Sequence, residues 1–237
     1  MLRTAGVTRD FGGVHAVAGV SIEVRRGTLT GLIGPNGAGK STLLAMLAGT
    51  IPVTSGQVIY AGADVTGVPA YRRARLGLVR TTSSRRSPSG KTWRWAVTCW
   101  AAARWARGSS AWSACSRGSA RCSPGGRAGR LSGGERKMLA MGRVLMVEPA
   151  VFLLDEPTAN LAPKVAAELL TGHVRALAEA GAAVLVVEQR ARAVLAISDY
   201  TYVLGGGQVL MADTPARLSA SREFTESFFG TAPSRKG

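Results

Sequence analysis

Gly34-Pro35-Asn36-Gly37-Ala38-Gly39-Lys40-Ser41 sets glycines, one lysine and one hydroxyl in the order G-x-x-x-x-G-K-[ST]. Glycines let backbone N–H groups close around phosphate oxygens, and a helix that starts here adds its partial positive charge. Lys40 is placed to reach β- and γ-phosphates, and the Ser41 hydroxyl to ligate Mg2+. Gly34, Asn36, Gly37, Ala38, Gly39, Lys40, Ser41 and Thr42 are therefore candidate nucleotide-binding residues. The competing reading is a glycine-rich turn with a chance lysine.

A second cluster is acidic. Leu153-Leu154-Asp155-Glu156 puts two carboxylates at the end of an apolar run. Nucleotide sites in parallel sheets lie at that carboxyl edge. Asp155 can hold Mg2+ directly or through water, and Glu156 is placed to polarise an attacking water as general base. Acidic residues also end strands as plain solvated loops. A third cluster, Leu131-Ser132-Gly133-Gly134-Glu135, sets Ser132, Gly133 and Gly134 at a helix start as a second small phosphate cradle.

These clusters need elements to position them. Val20–Val24 alternates apolar and polar, Arg26-Gly27 turns, and Leu29–Ile33 is a short apolar run, which reads as two strands joined by a turn. Ser41–Leu47 reads as a helix and Gln57–Tyr60 as a strand. Glu135–Val147 reads as a helix that stops before Pro149. Val151–Leu154 is an apolar strand, Pro163–Glu179 a helix with Gly181 past its end, and Ala183–Val187 a fully apolar strand. Tyr200–Leu204 and Gln208–Ala212 flank Gly205-Gly206-Gly207 as a hairpin, and Asp213-Thr214-Pro215 can cap a C-terminal helix. The alternation predicts an α/β fold with a largely parallel sheet.

Taken together, the three clusters in this order resemble the ATP-binding subunits of ABC transporters: a Walker A loop, an LSGGE signature and a Walker B strand. The resemblance covers residues 1–81 and 131–230. It implies a P-loop NTPase core of ABC type with an N-terminal antiparallel β part and a helical subdomain. It implies ATP and Mg2+ as ligands, and a head-to-tail homo- or heterodimer in which Ser132, Gly133 and Gly134 meet the γ-phosphate of the partner's ATP. Phe11, before Gly12-Gly13, matches the aromatic that stacks on adenine, with an ordinary core aromatic as the alternative. Gln189 matches the switch position where most of the family has His; Gln can hydrogen-bond there but carries no proton charge. Gln189 and the phrase Leu161-Ala162-Pro163 look like the branched-chain amino acid importer ATPases. His15 and His173 match no catalytic position.

One stretch does not fit. The chain carries 30 Lys+Arg against 14 Asp+Glu, a formal charge of +16. Residues 82–130 hold ten of those basic residues, no Asp or Glu, all five tryptophans and all three cysteines. The remainder is only +6. The resemblance places a glutamine loop and a helical docking subdomain here. After Gly77-Leu78-Val79-Arg80-Thr81 the family continues aromatic-Gln, yet this chain reads Thr82-Ser83. The tryptophans follow neither a helical nor a strand period. Reading Thr82-Ser83-Ser84 as ACC-AGC-TCN and adding one T before it gives TAC-CAG-CTC, which encodes Tyr-Gln-Leu. The segment is therefore read as translated out of frame between two compensating shifts, within a single ABC ATPase domain spanning 1–237. The rival is a natural basic, Trp-rich insert that binds nucleic acid or lipid. Cys99, Cys115 and Cys122 lack paired C-x-x-C spacing, against a metal site.

Composition excludes disorder, with 46% hydrophobic residues. No apolar run reaches the roughly 20 residues of a membrane span, and the N-terminus lacks a signal-peptide core. The expectation is a cytoplasmic subunit, peripheral on the inner face of the membrane. It would work with separate permease subunits and, indirectly, a solute-binding protein, and nucleic acid is not expected as a partner. The alternatives are a soluble ABC-type ATPase acting on nucleic acid and a degenerate subunit that binds ATP without coupling. Against the first stand a single ATPase unit and no long heptad segment.

Overall fold

The computed structural model describes residues 1–81, 149–159 and 161–229. β1 (Leu2–Phe11) turns at Gly12-Gly13 into β2 (Val14–Val20), followed by the short β3 (Glu23–Val24). β4 (Leu29–Ile33) leads through the glycine-rich loop into α1 (Lys40–Ala48). β5 (Ser55–Tyr60), β6 (Ala63–Asp64), α2 (Ala70–Arg75) and β7 (Leu78–Thr81) follow. After β8 (Val151–Asp155), α3 (Pro163–Glu168) widens into a π turn over Leu169–Val174 and continues as α4 (Arg175–Glu179). β9 (Ala183–Glu188), α5 (Ala191–Leu195), β10 (Tyr200–Gly205), β11 (Gln208–Asp213), α6 (Pro215–Ala220) and α7 (Arg222–Phe229) complete the order.

Two sheets result. The first is antiparallel, in the order β2-β1-β5-β6 with β3 also on β1. The second runs β11-β10-β4-β9-β8-β7, parallel from β10 to β7 with β11 antiparallel at the edge. β4, β8 and β9 are central and bury almost every residue, which is why their sequences are continuous apolar runs rather than alternating ones. The α/β class, the parallel sheet and the antiparallel N-terminal part stand as expected. The helical subdomain and the Glu135–Val147 helix lie outside the described residues.

α1 sits between the sheets. Leu43, Leu44, Met46 and Leu47 are fully buried against Leu2, Val17 and Val58 of one sheet and Leu32, Leu153, Leu185 and Val187 of the other. A helix apolar all round is the form such a sandwiched position demands. A second core, on the opposite face of the parallel sheet, packs Phe152, Leu154, Val184 and Val186 against Leu169, Leu170, Val174 and Leu177.

The two strands read on either side of Arg26-Gly27 do not pair with each other, and Val20–Val24 is not one strand but the end of β2 and the short β3. Val24 pairs with Leu2 in the first sheet, while Leu29 pairs with Val184 in the second. The Arg26-Gly27 turn therefore crosses between sheets. Within 20–24, Thr4 adds side-chain bonds to the backbone one: its N–H donates to Ile22 O at 2.9 Å, and its hydroxyl donates to Val20 O at 3.0 Å and accepts from the Ile22 N–H at 2.9 Å.

Candidate functional site

The glycine-rich loop joins the C-terminal end of β4 to α1, with Gly39 as the N-cap at φ 94°. No side chain caps this helix and no acidic residue lies in its first turn. The N–H groups of Lys40, Ser41 and Thr42 have no intrahelical acceptor by helix geometry, so this end is built for an external anion. The loop is also gripped from both sides. A Cβ on Gly39 would lie 2.3 Å from Ala16 O of β2, and one on Gly34 would lie 2.2 Å from Leu204 O of β10. The Gly207 N–H, in the β10–β11 turn, donates to Ala38 O at 3.2 Å, and Gly207 O accepts from Ala18 N at 2.8 Å. Asn36, Gly37 and Ser41 are exposed, Ala38 is buried and Thr42 is half-buried.

Lys40 is 6% exposed and folds back on its own loop, donating from Nζ to Gly34 O and Pro35 O, each at 2.7 Å. Burial pushes its pKa below the ordinary lysine value, while the nearby Glu156 and Asp155 carboxylates oppose that shift. One ammonium therefore lies within the field of both acidic residues and beside the open helix end.

β8 brings Asp155 to its carboxyl edge. Asp155 Oδ1 faces the Ser41 hydroxyl at 3.4 Å, long for a hydroxyl–carboxylate bond, and Oδ2 accepts from Arg80 Nη2 at 2.6 Å. A hydroxyl oxygen opposite a carboxylate oxygen is a hard donor pair and fits Mg2+. Among the described residues no group of three or more His, Cys, Asp or Glu is assembled. A cation at Ser41 and Asp155 would therefore draw its other ligands from phosphate and water.

Glu156 is a non-glycine residue in left-handed backbone conformation, φ 47°. That costs about 1 kcal/mol. It is held there by its N–H bond to Val187 O at 2.9 Å and by Ala159 N donating to Glu156 O at 3.1 Å. The conformation aims the side chain at Gln189, whose Nε2 donates to Glu156 Oε1 at 2.7 Å. The structure thus joins the two residues expected to do the chemistry, each the first residue past the end of one of two adjacent parallel strands.

Phe11 ends β1 at 45% exposure, which overturns the alternative of a core aromatic. One face of its ring is covered by the Arg9 guanidinium, 4.6 Å from the centroid. His15 is exposed and contacts Asp10 Oδ1 at 2.6 Å. His173 is half-buried in the π turn, with Nδ1 3.4 Å from Glu168 O and Nε2 buried without a hydrogen-bond partner among the described residues. Ser132, Gly133, Gly134 and the 82–130 segment lie outside the described residues.

Three contacts were not foreseen. Arg80 pairs with Asp155; its signal was a lone charge in the apolar run Leu78–Thr81. Glu188 grips Thr158 beneath the acidic loop. Arg73, fully buried, donates to Met46 O and Leu47 O at the C-terminal end of α1, and to Thr66 O and Val68 O. The helix whose N-terminus faces the site is thereby closed at its other end by a guanidinium, the favourable sign for its dipole.

Comparisons with known proteins give one pattern. A family profile described as ABC transporter matches residues 17–159. The chain is 34% identical to the high-affinity branched-chain amino acid transport ATP-binding protein BraG of Pseudomonas aeruginosa, over 97% of this chain and 100% of the relative. It is 32% identical to the probable branched-chain amino acid transport ATP-binding protein LivF of Archaeoglobus fulgidus, over 97% and 99%. The crystal structure of a nucleotide-free ATP-binding cassette from an ABC transporter superposes with a TM-score of 0.78 at 27% identity, covering 95% of this chain and 97% of that one.

Proposed function

The chain belongs to the ABC transporter family as an ATP-binding ATPase subunit, and from that premise we propose that it energises uptake of branched-chain amino acids or similar solutes through separate permease subunits. The observation that carries the catalytic part is the convergence of Lys40, Ser41, Asp155, Glu156 and Gln189 at the edge of one parallel sheet. Gln189 and Leu161-Ala162-Pro163, with the similarity to BraG and LivF, support the amino acid substrate.

The residue roles follow from their chemistry. The open N–H groups of α1 and the Lys40 ammonium bind the polyphosphate, Lys40 exchanging its two carbonyl acceptors for phosphate oxygens. Mg2+ held by Ser41 and Asp155 would neutralise charge on the β- and γ-phosphate oxygens. Glu156 accepts the proton of the water that attacks the γ-phosphorus as the bond to ADP breaks. Gln189 fixes the direction of the Glu156 carboxylate. Phe11 offers its exposed ring to adenine. Ser132, Gly133 and Gly134 complete the site of a second ATPase subunit in a head-to-tail dimer. Among the described residues no helix is long and apolar enough to cross a membrane, in keeping with a peripheral place on the inner face beside the permease and an indirect link to a solute-binding protein.

The substitution of Thr82-Ser83 for aromatic-Gln favours a second reading for this chain: ATP binding better preserved than coupling. Uptake of labelled leucine tests both, in a strain whose own ATPase subunit is deleted and whose permease is present. Uptake restored by this chain and abolished by K40A supports the transport reading. ATP binding by the purified chain without restored uptake supports the uncoupled one.

A further inference from the structure

Arg80 lies inside this site, yet none of the roles above uses it. β7 runs parallel to β8 with Leu78 opposite Val151 and Arg80 opposite Leu153. Side chains alternate along strands, so Arg80 shares the sheet face of Leu78, Leu153 and Asp155, the face on which α1 packs. Its Nη2 donates to Asp155 Oδ2 at 2.6 Å while Asp155 Oδ1 faces Ser41 at 3.4 Å. Both side chains are largely withdrawn from water, 16% and 12% exposed. The Arg80 Nε is buried and has no hydrogen-bond partner among the described residues.

We infer that Arg80 is a positioning residue for Asp155: it pins one carboxylate oxygen, turns the other toward Ser41, and cancels the carboxylate charge so that a cation is held only together with nucleotide phosphate. The inference rests on the reading of Ser41 and Asp155 as the metal pair. Around that pair Lys40 and Arg80 balance Asp155 and Glu156. A bare divalent cation therefore meets no net negative charge, whereas a cation carried on polyphosphate brings its own. Removing Arg80 leaves one negative charge in excess. The free cation is then attracted and metal-free nucleotide repelled. Lysine would keep the charge but not the planar group that fixes the direction of the carboxylate.

The test uses the whole chain. Free Mn2+ is titrated by electron paramagnetic resonance without nucleotide, and ATP is titrated in the presence of EDTA. R80M and R80Q are expected to bind free Mn2+ at least about tenfold more tightly than the unmodified chain and metal-free ATP at least about threefold more weakly. R80K is expected to stay within about twofold on both measurements while its hydrolysis rate falls. Unchanged Mn2+ affinity in folded R80M or R80Q overturns the inference. So does a gain in R80K equal to that in R80M, since it would mark a merely structural effect. Should the unmodified chain bind no Mg·ATP at all, the nucleotide reading itself fails and the inference goes with it; normal Mg·ATP binding with indifferent Arg80 variants removes the inference alone.

Discussion

Glu188 closes β9 with its carboxylate turned onto Thr158: one oxygen, Oε1, accepts the Thr158 N–H at 2.8 Å and the Thr158 hydroxyl at 2.7 Å. Both residues are buried, at 3% and 2% exposure. The next residue, Gln189, donates to Glu156. Two consecutive residues at the end of one strand thus hold two points of the loop that follows its neighbour, and Glu156 is kept in its left-handed backbone conformation between them. E188A would leave two buried donors unsatisfied and should cost about 2 kcal/mol or more. E188Q keeps an acceptor and should cost less. Urea unfolding of both variants checks the order.

In the proposed mechanism Gln189 acts through Glu156, to whose Oε1 it donates at 2.7 Å. E156Q removes the proton acceptor and should lower the hydrolysis rate at least about 100-fold, with ATP affinity changed by no more than about twofold. Q189A takes one hydrogen bond from the Glu156 carboxylate and leaves the carboxylate in place, so its rate loss should be smaller than that of E156Q. Steady-state hydrolysis together with equilibrium ATP binding separates the two effects.

Lys40 carries a pH dependence. Burial lowers its pKa below the ordinary value of 10.5. At pH values between the folded and unfolded pKa, the unfolded state binds more protons, so the cost of the buried charge is relieved as pH rises. ATP binding runs the other way, because the neutral amine no longer attracts phosphate. Affinity for metal-free ATP should therefore fall with an apparent pKa below that of a free lysine side chain, and K40A should show no such titration. A binding series from neutral to alkaline pH decides it.

Arg73 holds α1 from behind. R73M would strip donors from Met46 O, Leu47 O, Thr66 O and Val68 O in a buried position. The expected loss is about 3 kcal/mol or more, since hydrogen bonds from a charged group each contribute about 1.5–3 kcal/mol. R73K should recover little, because one ammonium cannot reproduce the guanidinium fork. Denaturant midpoints of the two variants measure this.

The turn of the late hairpin sets the glycine-rich loop. G34A would drive a Cβ to 2.2 Å from the Leu204 backbone oxygen. Backbone cannot yield as a side-chain tip can, so ATP affinity should fall at least about tenfold, as for a core overpacked by one methyl. Equilibrium ATP binding by folded G34A checks this.

The site was legible where chemistry forces the residue type. A loop that must wrap a phosphate needs glycines at fixed spacing, and a buried parallel strand must be apolar until it ends, so Gly34–Ser41 and Val151–Glu156 stood out. β1 did not. It carries Arg3, Thr4, Gly6, Thr8, Arg9 and Asp10, it is half-exposed, and register shifts near Arg9 break its alternation. Its partners, not its own pattern, make it a strand. Arg73 and Arg80 were hidden for a related reason: an arginine reads as surface until the carbonyls or carboxylate that satisfy it are brought in from elsewhere in the chain. Glu188 directly precedes the Gln189 switch position, and its grip on Thr158 depends on a crossover between strands that no local spacing encodes.

The out-of-frame reading of residues 82–130 has a direct check in the nucleotide sequence across codons 78 to 132. An alternative frame should encode a glutamine followed by Leu/Glu-rich helices. Its absence would leave the basic, Trp-rich stretch as a natural insert, and salt-sensitive binding of single-stranded nucleic acid would then be the measurement to make.

The central claim is that Gly34–Ser41 and α1 bind the polyphosphate of ATP with Lys40 as the neutralising charge. Equilibrium titration of Mg·ATP into the purified chain and into K40A tests it. Saturable binding that weakens at least about tenfold in a folded K40A is the predicted result. Equal affinity in the two proteins, or no saturable binding by the unmodified chain, would contradict it.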